Sequence, residues 1–405
     1  WGWKRSGQSS DWRDLMIHQA NNGKLGINQM AGTPLWKQSD AALKSFLDLD
    51  ESSSETKHIE IGINQRSKCS WHPPVLWIGM GCERNTSFQL LNRALINVLS
   101  KKGLAIEAIA GIATVDLKVS ESALLNLGKA INCPIHFFSA DELSQVSVPN
   151  PSENVKNEIG TQSVAEAAAL LASGEGSSLL VEKQVFHSQD AEKGACTISI
   201  AQTIQPFAPH RGELHLVGIG PGDLSLLTED AKSALSKSAL WIGYGRYLDL
   251  VEPLRRSDQV RIDGYLTFEK ERCLQAIELA TQGINVSLIS SGDSGVYGMA
   301  GLTLELLLQK KLDNRPSFQI HPGISCIYMA AAKIGAPLMN DFCMISLSDK
   351  LTPWEVITER LEAAAKGDFV IALYNPKSND RDWQLNQAIS IIKEFRLPST
   401  PLLVA

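Results

Sequence analysis

The run that most constrains this chain is Leu214-His215-Leu216-Val217-Gly218-Ile219-Gly220-Pro221-Gly222, followed closely by the acidic helix opening Thr228-Glu229-Asp230. A short apolar stretch that enters a glycine–proline loop and then a helix is a strand–loop–helix unit. Such units assemble into α/β folds with a parallel sheet covered by helices. Glycines at 218, 220 and 222 allow close backbone approach and positive φ. The helix start adds free N–H groups and the positive end of its dipole. The unit therefore suits a small polar or anionic ligand at the carboxyl end of a strand. The loop is not the dinucleotide fingerprint, which needs G-x-G-x-x-G where this chain has G-x-G-P-G.

The arrangement recurs. A buried-strand run at 284–290 ends in Ser291-Gly292-Asp293-Ser294-Gly295-Val296-Tyr297-Gly298. A strand at 318–321 ends in Pro322-Gly323-Ile324-Ser325, and the small-residue helix Met329-Ala330-Ala331-Ala332 follows. A strand at 369–373 ends in Tyr374-Asn375-Pro376. Ligand sites in open α/β sheets lie beyond the carboxyl ends of strands. Each loop also has a purely local reading: Asp293 as an Asx turn, Tyr297 as packing under the next helix, Ser325 as a helix N-cap, Asn375-Pro376 as a turn. Ser325 is expected both to cap and to meet a ligand.

In this order and spacing the motifs resemble the tetrapyrrole (corrin/porphyrin) methyltransferase family. Within it, Gly292-Asp293-Ser294-Gly295-Val296-Tyr297 and Ile242-Gly243-Tyr244-Gly245-Arg246-Tyr247-Leu248 resemble the precorrin-3B C(17)-methyltransferases of cobalamin biosynthesis. The resemblance covers residues 213–405. It implies a two-subdomain, class III S-adenosylmethionine-dependent fold, with subdomains at 213–322 and 323–405, the second truncated. It implies S-adenosylmethionine as methyl donor, held by Pro221, Gly222, Ser291, Gly292, Asp293, Val296, Ser325, Cys326 and Asn375. The implied reaction is methylation of precorrin-3B at carbon-17 with ring contraction, by a homodimer joined through this half. Tyr244, Arg246 and Tyr247 are the expected substrate contacts: a tetrapyrrole's carboxylates suit a guanidinium fork, and its flat face suits aromatic rings. An ordinary solvent-facing loop is the competing reading of the same residues. The sequence names no acid or base for the contraction. A methyltransferase acting on another corrin position is the alternative.

Length and composition set the frame. At 405 residues the chain suits two to three domains. A net charge of −6 argues against the clustered basic face that nucleic acids require. No apolar run approaches the roughly 18–20 residues of a membrane helix. The seven cysteines form no C-x-x-C pair and are odd in number, which points to a reducing cytoplasm. His136, His187 and His321 lack metal-ligand spacing, so no metal site is expected. The chain opens at Trp1 and closes on an apolar run at 402–405, and reads as a fragment cut at both ends.

The first half alternates less regularly. Residues 1–70 look polar and irregular, with a serine loop at 52–55 and a short strand carrying Ile59 and Ile61. The spacing then predicts a strand at 75–79, the loop Met80-Gly81-Cys82-Glu83-Arg84-Asn85 and a helix at 87–101. Strands at 104–110, 135–138, 178–186 and 196–202 and helices at 121–131 and 163–172 complete a parallel or mixed sheet spanning 75–203. A Pro/Gly-bearing linker at 204–212 marks the domain boundary. In the second half a helix at 271–280 stops at Gly283, and Thr352-Pro353-Trp354-Glu355 reads as a capping box.

Trp77-Ile78-Gly79-Met80-Gly81-Cys82-Glu83-Arg84, with Thr86-Ser87 and the later Ser163-Val164-Ala165-Glu166-Ala167-Ala168-Ala169, resembles the C-terminal domain of the cobalt-precorrin-5A hydrolase family. Residues 1–70 resemble that family's middle region loosely. Asn85 stands where the family has glycine; asparagine tolerates the left-handed conformation, so the turn is expected to survive. The resemblance implies hydrolysis of a lactone. Cys82 as nucleophile or Glu83 as base, with Arg84 on a substrate carboxylate, are the candidates. A structural Arg–carboxylate pair and a buried cysteine are the plain alternative, with this half serving only for binding or channelling.

Overall fold

The computed structural model describes residues 1–48, 57–65, 69–203, 212–265, 268–310, 315–350, 352–378 and 382–404. The serine loop at 52–55 and positions 204–211 of the linker lie outside them.

Residues 1–72 are not irregular. Strands β1 (Lys4–Ser6), β2 (Leu25–Gln29), β3 (Phe46–Asp48), β4 (His58–Ile61) and β5 (Ser70–His72) form a sheet in the order β1-β5-β4-β2-β3, packed on the Ser9–Ala20 helix. All neighbours are parallel except β1 with β5. The strands are three to five residues long, too short to show a clear period. Much of the core comes from aromatic rings set among polar residues: Trp3, Trp12, Trp36 and Trp71 pack on Leu15, Leu25, Ile27, Ile59 and Ile61. Ile59 and Ile61 point inward on β4, as the alternation predicts.

The second sheet has the order β8-β7-β6-β10-β9, from β6 (Leu76–Cys82), β7 (Ile109–Val115), β8 (Ile135–Phe138), β9 (Ser178–His187) and β10 (Ala195–Gln202). β6, β7 and β8 are parallel, while β9 and β10 form an antiparallel pair against β6. The mixed sheet is as expected, but β7 starts later than the predicted 104–110. Gly103 closes the preceding helix at φ +63, and Ile106–Ala108 spend one 3-10 turn before the strand begins. An unbroken apolar run hides that boundary. Gly79 and Gly81 are packing glycines: a Cβ on Gly79 would lie 1.8 Å from the Ala165 carbonyl oxygen, and one on Gly81 would lie 2.6 Å from Thr197 Oγ1. The Val164–Ser173 helix therefore rests directly on β6. Its Glu166 is fully buried and accepts from the Asn150 and Lys183 backbone N–H groups at 3.2 and 2.9 Å and from Asn150 Nδ2 at 2.8 Å.

The third sheet, β13-β12-β14-β11-β15, is parallel throughout, from β11 (Glu213–Gly218), β12 (Leu240–Tyr244), β13 (Val260–Gly264), β14 (Val286–Ser290) and β15 (Ser317–His321). Central strands are buried on both faces, which is why they read as continuous apolar runs. The chain crosses at Pro322-Gly323 into a second lobe, where β16 (Phe342–Ser346) and β17 (Val370–Tyr374) pair in parallel. The Trp354–Lys366 and Gln384–Lys393 helices cover them. The expected capping box at 352–355 is absent: Pro353 occupies the N-cap, one residue later than read, and no side chain caps the helix.

The 1–72 domain touches both neighbours. Arg255 Nη2 meets Asp40 Oδ2 at 3.1 Å, and the Ala41 N–H donates to the Ser257 carbonyl at 2.8 Å. Trp1 and Leu35 join the apolar core of the third sheet. On the other side, Gln29, Met30, Gly32 and Lys37 share a cavity of about 470 Å³ with Val75, Gln202 and Thr203.

Candidate functional site

Because all strands of the third sheet run the same way, their glycine-bearing ends share one edge. β11 and β14 are adjacent, and the N–H groups of Gly220 and Gly292 each donate to the other's carbonyl, at 3.0 and 2.8 Å. Gly220, Gly222 and Gly292 take φ of +72, +113 and +62. Gly218 has an ordinary φ, but a Cβ there would lie 2.7 Å from the Gly292 oxygen and 2.8 Å from the nitrogens of Gly323 and Ser294. The loops after β14 and β15 thus close over the backbone where the β11 loop begins. Around Gly292 the space is nearly open, with only the Ser325 Cα 3.9 Å from a would-be Cβ.

Asp293 knits this crossing. Its Oδ1 accepts from the Gly295 N–H at 2.8 Å, the Asx turn read from sequence. Its Oδ2 accepts from the Gly323 N–H at 3.0 Å, which the sequence does not reveal. Thr228 caps its helix and also donates to the Pro322 carbonyl at 3.1 Å. Pro221, Ser291 and Val296 lie in the same loops and are partly exposed.

Ser325 departs from expectation. It is the N-cap residue of the Cys326–Ile334 helix, but its side chain caps nothing. Its hydroxyl instead pairs with Tyr374 Oη at 2.6 Å. The helix N-terminus therefore lacks a side-chain cap and its dipole end is available to an anionic group. Cys326 is exposed beside it. Asn375 sits at φ +52 and donates from Nδ2 to Ser346 Oγ at 3.0 Å. Tyr297, also at φ +52, reaches the second lobe: its hydroxyl donates to the Met344 carbonyl at 2.9 Å, and its ring lies 5.1 Å from that of Tyr374. Tyr297 was expected to pack under the next helix and instead reaches across to the second lobe; partners so far along the chain leave no local signal.

Tyr244 ends β12 at the same edge, and Arg246 and Tyr247 open the Gly245–Val251 helix. The rings of Tyr244 and Tyr247 meet edge to face at 5.2 Å. Burial pushes the Tyr247 hydroxyl above its ordinary pKa. The Arg246 side chain is exposed. Nearby Arg261 is different: it is enclosed by Asp249, Glu252 and Asp263 at 2.7, 3.1 and 2.6 Å, a fixed ion-pair network.

The other candidate cluster lies at the carboxyl edge of β6. Cys82 closes the strand, Glu83 and Arg84 are exposed, and Asn85 takes the left-handed conformation at φ +60 as expected. Thr86 Oγ1 donates to the Glu83 carbonyl at 2.9 Å and fixes the turn. Burial pushes the Cys82 thiol up to about 11, against the opposing pull of Lys118. At neutral pH it rests as the thiol, so a nucleophilic role would need a base beside it, and Glu83 is the candidate base. Lys118, after β7, is a cation near this site that the sequence reading missed. Among the described residues, no group of three or more His, Cys, Asp or Glu side chains is placed to hold a metal ion, and no helix is long and apolar enough to cross a membrane.

Comparison with known proteins agrees with both halves. Residues 76–201 match the family described as cobalamin synthesis G C-terminus. Residues 213–405 match the tetrapyrrole (corrin/porphyrin) methylases. A probable cobalt-factor III C(17)-methyltransferase of Salmonella typhimurium is 47% identical over 47% of this chain and 77% of its own length. The precorrin-3B C(17)-methyltransferase of a Sinorhizobium species is 40% identical over 47% of this chain and 75% of its own. The cobalt-factor III methyltransferase of Priestia megaterium is 45% identical over 47% of this chain, which spans only 36% of that protein. With its glycine loops gathered at one sheet edge and this degree of identity, the chain belongs, through residues 213–405, to the tetrapyrrole methylase family.

Proposed function

We propose that residues 213–405 transfer the methyl group of S-adenosylmethionine to carbon-17 of a tetrapyrrole, with contraction of the macrocycle, as a step of cobalamin biosynthesis. The observation that carries this reading is the convergence of the loops after β11, β14 and β15 on Gly218, facing the uncapped Cys326–Ile334 helix. The residues present fit the donor. Its carboxylate suits the free helix N–H groups. The open space at Gly292 leaves room for its chain, and the backbone of Pro221, Gly222, Ser291 and Val296 lines the same edge. When bound, the sulfonium supplies an already activated methyl. The protein's task is then to align two reactants, which contributes roughly 7–11 kcal/mol in the best cases. Tyr244 and Tyr247 offer ring surface to the macrocycle, and exposed Arg246 offers its guanidinium to a peripheral carboxylate.

Relatives named for cobalt-factor III are 47%, 45% and 39% identical and the one named for precorrin-3B is 40%, so the reading takes in the substrate with or without cobalt. The reading includes a pair of copies joined through this half, supported by Phe318 and Ile320, which leave the edge strand β15 48% and 40% exposed. A reducing cytoplasm fits the seven scattered cysteines. The test is to incubate the full chain with S-adenosylmethionine and the trimethylated tetrapyrrole, with and without cobalt. One added methyl at carbon-17, located by mass and NMR, supports the reading; methylation elsewhere or none overturns it.

A second activity, lactone hydrolysis with release of acetaldehyde, is proposed for residues 76–201 on the strength of the match to cobalamin synthesis G. Glu83 is the candidate base and Arg84 the candidate carboxylate ligand. Acetaldehyde release by the full chain, lost in Glu83→Gln, is the expected result; full activity of that variant removes Glu83 from the mechanism. No release by the full chain leaves this half as a binding domain.

A further inference from the structure

The two lobes of the methylase half are joined covalently at one place, Pro322–Ser325, beside β15. A single crossing leaves a hinge free to open. Tyr297 bridges the same gap from the β14 side. Its backbone holds φ +52, a conformation that disfavours residues with a bulky side chain. The next residue, Gly298, packs closely on the Ser294 backbone, where a Cβ would lie 2.5 Å from the oxygen. So held, the side chain projects onto both strands of the second lobe: the hydroxyl donates to Met344 on β16, and the ring packs on Tyr374 of β17. Tyr374 in turn pairs with Ser325 in the hinge itself. The contacts form a closed circuit from β14 through β16 and β17 back to the hinge.

We propose that Tyr297 is a positioning residue that latches the second lobe across the carboxyl edge of the first and so sets the width of the cleft where donor and acceptor meet. The inference rests on the methyl-transfer reading for its catalytic consequence, but not for its structural one. Donor contacts come from the loop backbone, which Tyr297→Phe leaves in place. The lost hydroxyl removes the tether alone, and the closed lobe arrangement becomes less populated by about five- to tenfold.

The experiment compares the full chain with its Tyr297→Phe variant in two measurements. In steady-state methyl transfer, kcat is expected to fall about five- to tenfold while the donor KM changes by less than about threefold. In native-state hydrogen exchange, the amides of Gly323 and Leu347, which bond to Asp293 and Tyr374, are expected to exchange faster by a similar factor. The core amides of β14 should keep their protection. An unchanged kcat, or a loss of protection spread equally over β14, overturns the latch. If the full chain itself transfers no methyl, the functional reading fails, and exchange at Gly323 and Leu347 alone decides: faster exchange upholds the latch and unchanged exchange overturns it. Should Tyr297→Phe not fold, Tyr374→Phe, which keeps the ring and removes the bond to Ser325, is read by the same criteria.

Discussion

Gly218→Ala isolates the close approach of three loops from any question of backbone strain, because φ at Gly218 is not positive. The new methyl would stand 2.7 Å from one backbone oxygen and 2.8 Å from two backbone nitrogens, on the two loops that follow β14 and β15. Ordinary contact begins near 3.4 Å, so each segment must retreat by about half an ångström or more, and none of the opposing atoms belongs to a flexible side chain. Overpacking of this kind costs typically 1–3 kcal/mol. At roughly 2–4 °C per kcal/mol for a domain of this size, the melting temperature of the methylase half should fall by several degrees. The retreat also separates Gly292 and Gly323, the two positions that frame the proposed donor site, so affinity for S-adenosylhomocysteine by calorimetry should drop at least about tenfold. Gly301→Ala is the control. Nothing lies within 4 Å of that position in the Ala300–Leu308 helix, and the change should stabilise by about 0.4–1 kcal/mol with binding intact. A Gly218→Ala protein that melts and binds like wild type would refute the crossing of loops on which the site is built.

Other outcomes follow from the same geometry. Asp293→Asn keeps one acceptor of two and should loosen the Gly323 hinge by about 1–2 kcal/mol, read as lower thermal stability together with weaker donor binding. Arg246→Ala should weaken tetrapyrrole binding, leave donor binding intact and shift stability by no more than about 0.5 kcal/mol, because the side chain is exposed; equal loss of both ligands would indicate a structural role. Burial raises Cys82 from an ordinary 9.0 to about 11 and Cys196, its cross-strand neighbour, to about 12. Both are acids whose neutral form the fold favours, so their stabilisation is present below pH 9 and is lost as pH rises toward 11–12. Denaturation midpoints falling across that range, with Cys82 alkylation speeding up about tenfold per pH unit, are expected; fast alkylation at pH 7 would contradict the burial.

The methylase half was legible because its signals are local. A buried parallel strand is a continuous apolar run, and a glycine loop must follow it, so Val217-Gly218-Ile219-Gly220 and Ile289-Ser290-Ser291-Gly292 display strand and site together. The left-handed turn at Asn85 was expected from the glycine that the resembling family has there, and asparagine adopts it at φ +60. What stayed hidden depends on residues far apart. The second hydrogen bond of Asp293 spans 30 positions and that of Tyr297 spans 47. Ser325 looked like a cap because Ser followed by a helix is a cap by local rules; only the presence of Tyr374 diverts its hydroxyl. In residues 1–72, three- to five-residue strands carry too few positions to reveal a period, and tryptophans among glycines and serines masked a core.

The placement of the 1–72 domain governs traffic. Its contacts on the third sheet, at Arg255 and Ser257, precede β13; those on the second sheet, at Val75, precede β6. It therefore abuts the strand beginnings of both sheets, while the Cys82–Arg84 turn and the glycine loops lie at strand ends, facing away from the body they share. The chain leaves the second sheet at Gln202, opposite Leu76, and enters the third at Glu213, both at this rear side. On the proposed functions, a macrocycle released at one mouth does not face the other, so an added scavenger is expected to compete for it in bulk solvent, and joining the two halves would fix their ratio rather than pass material between them.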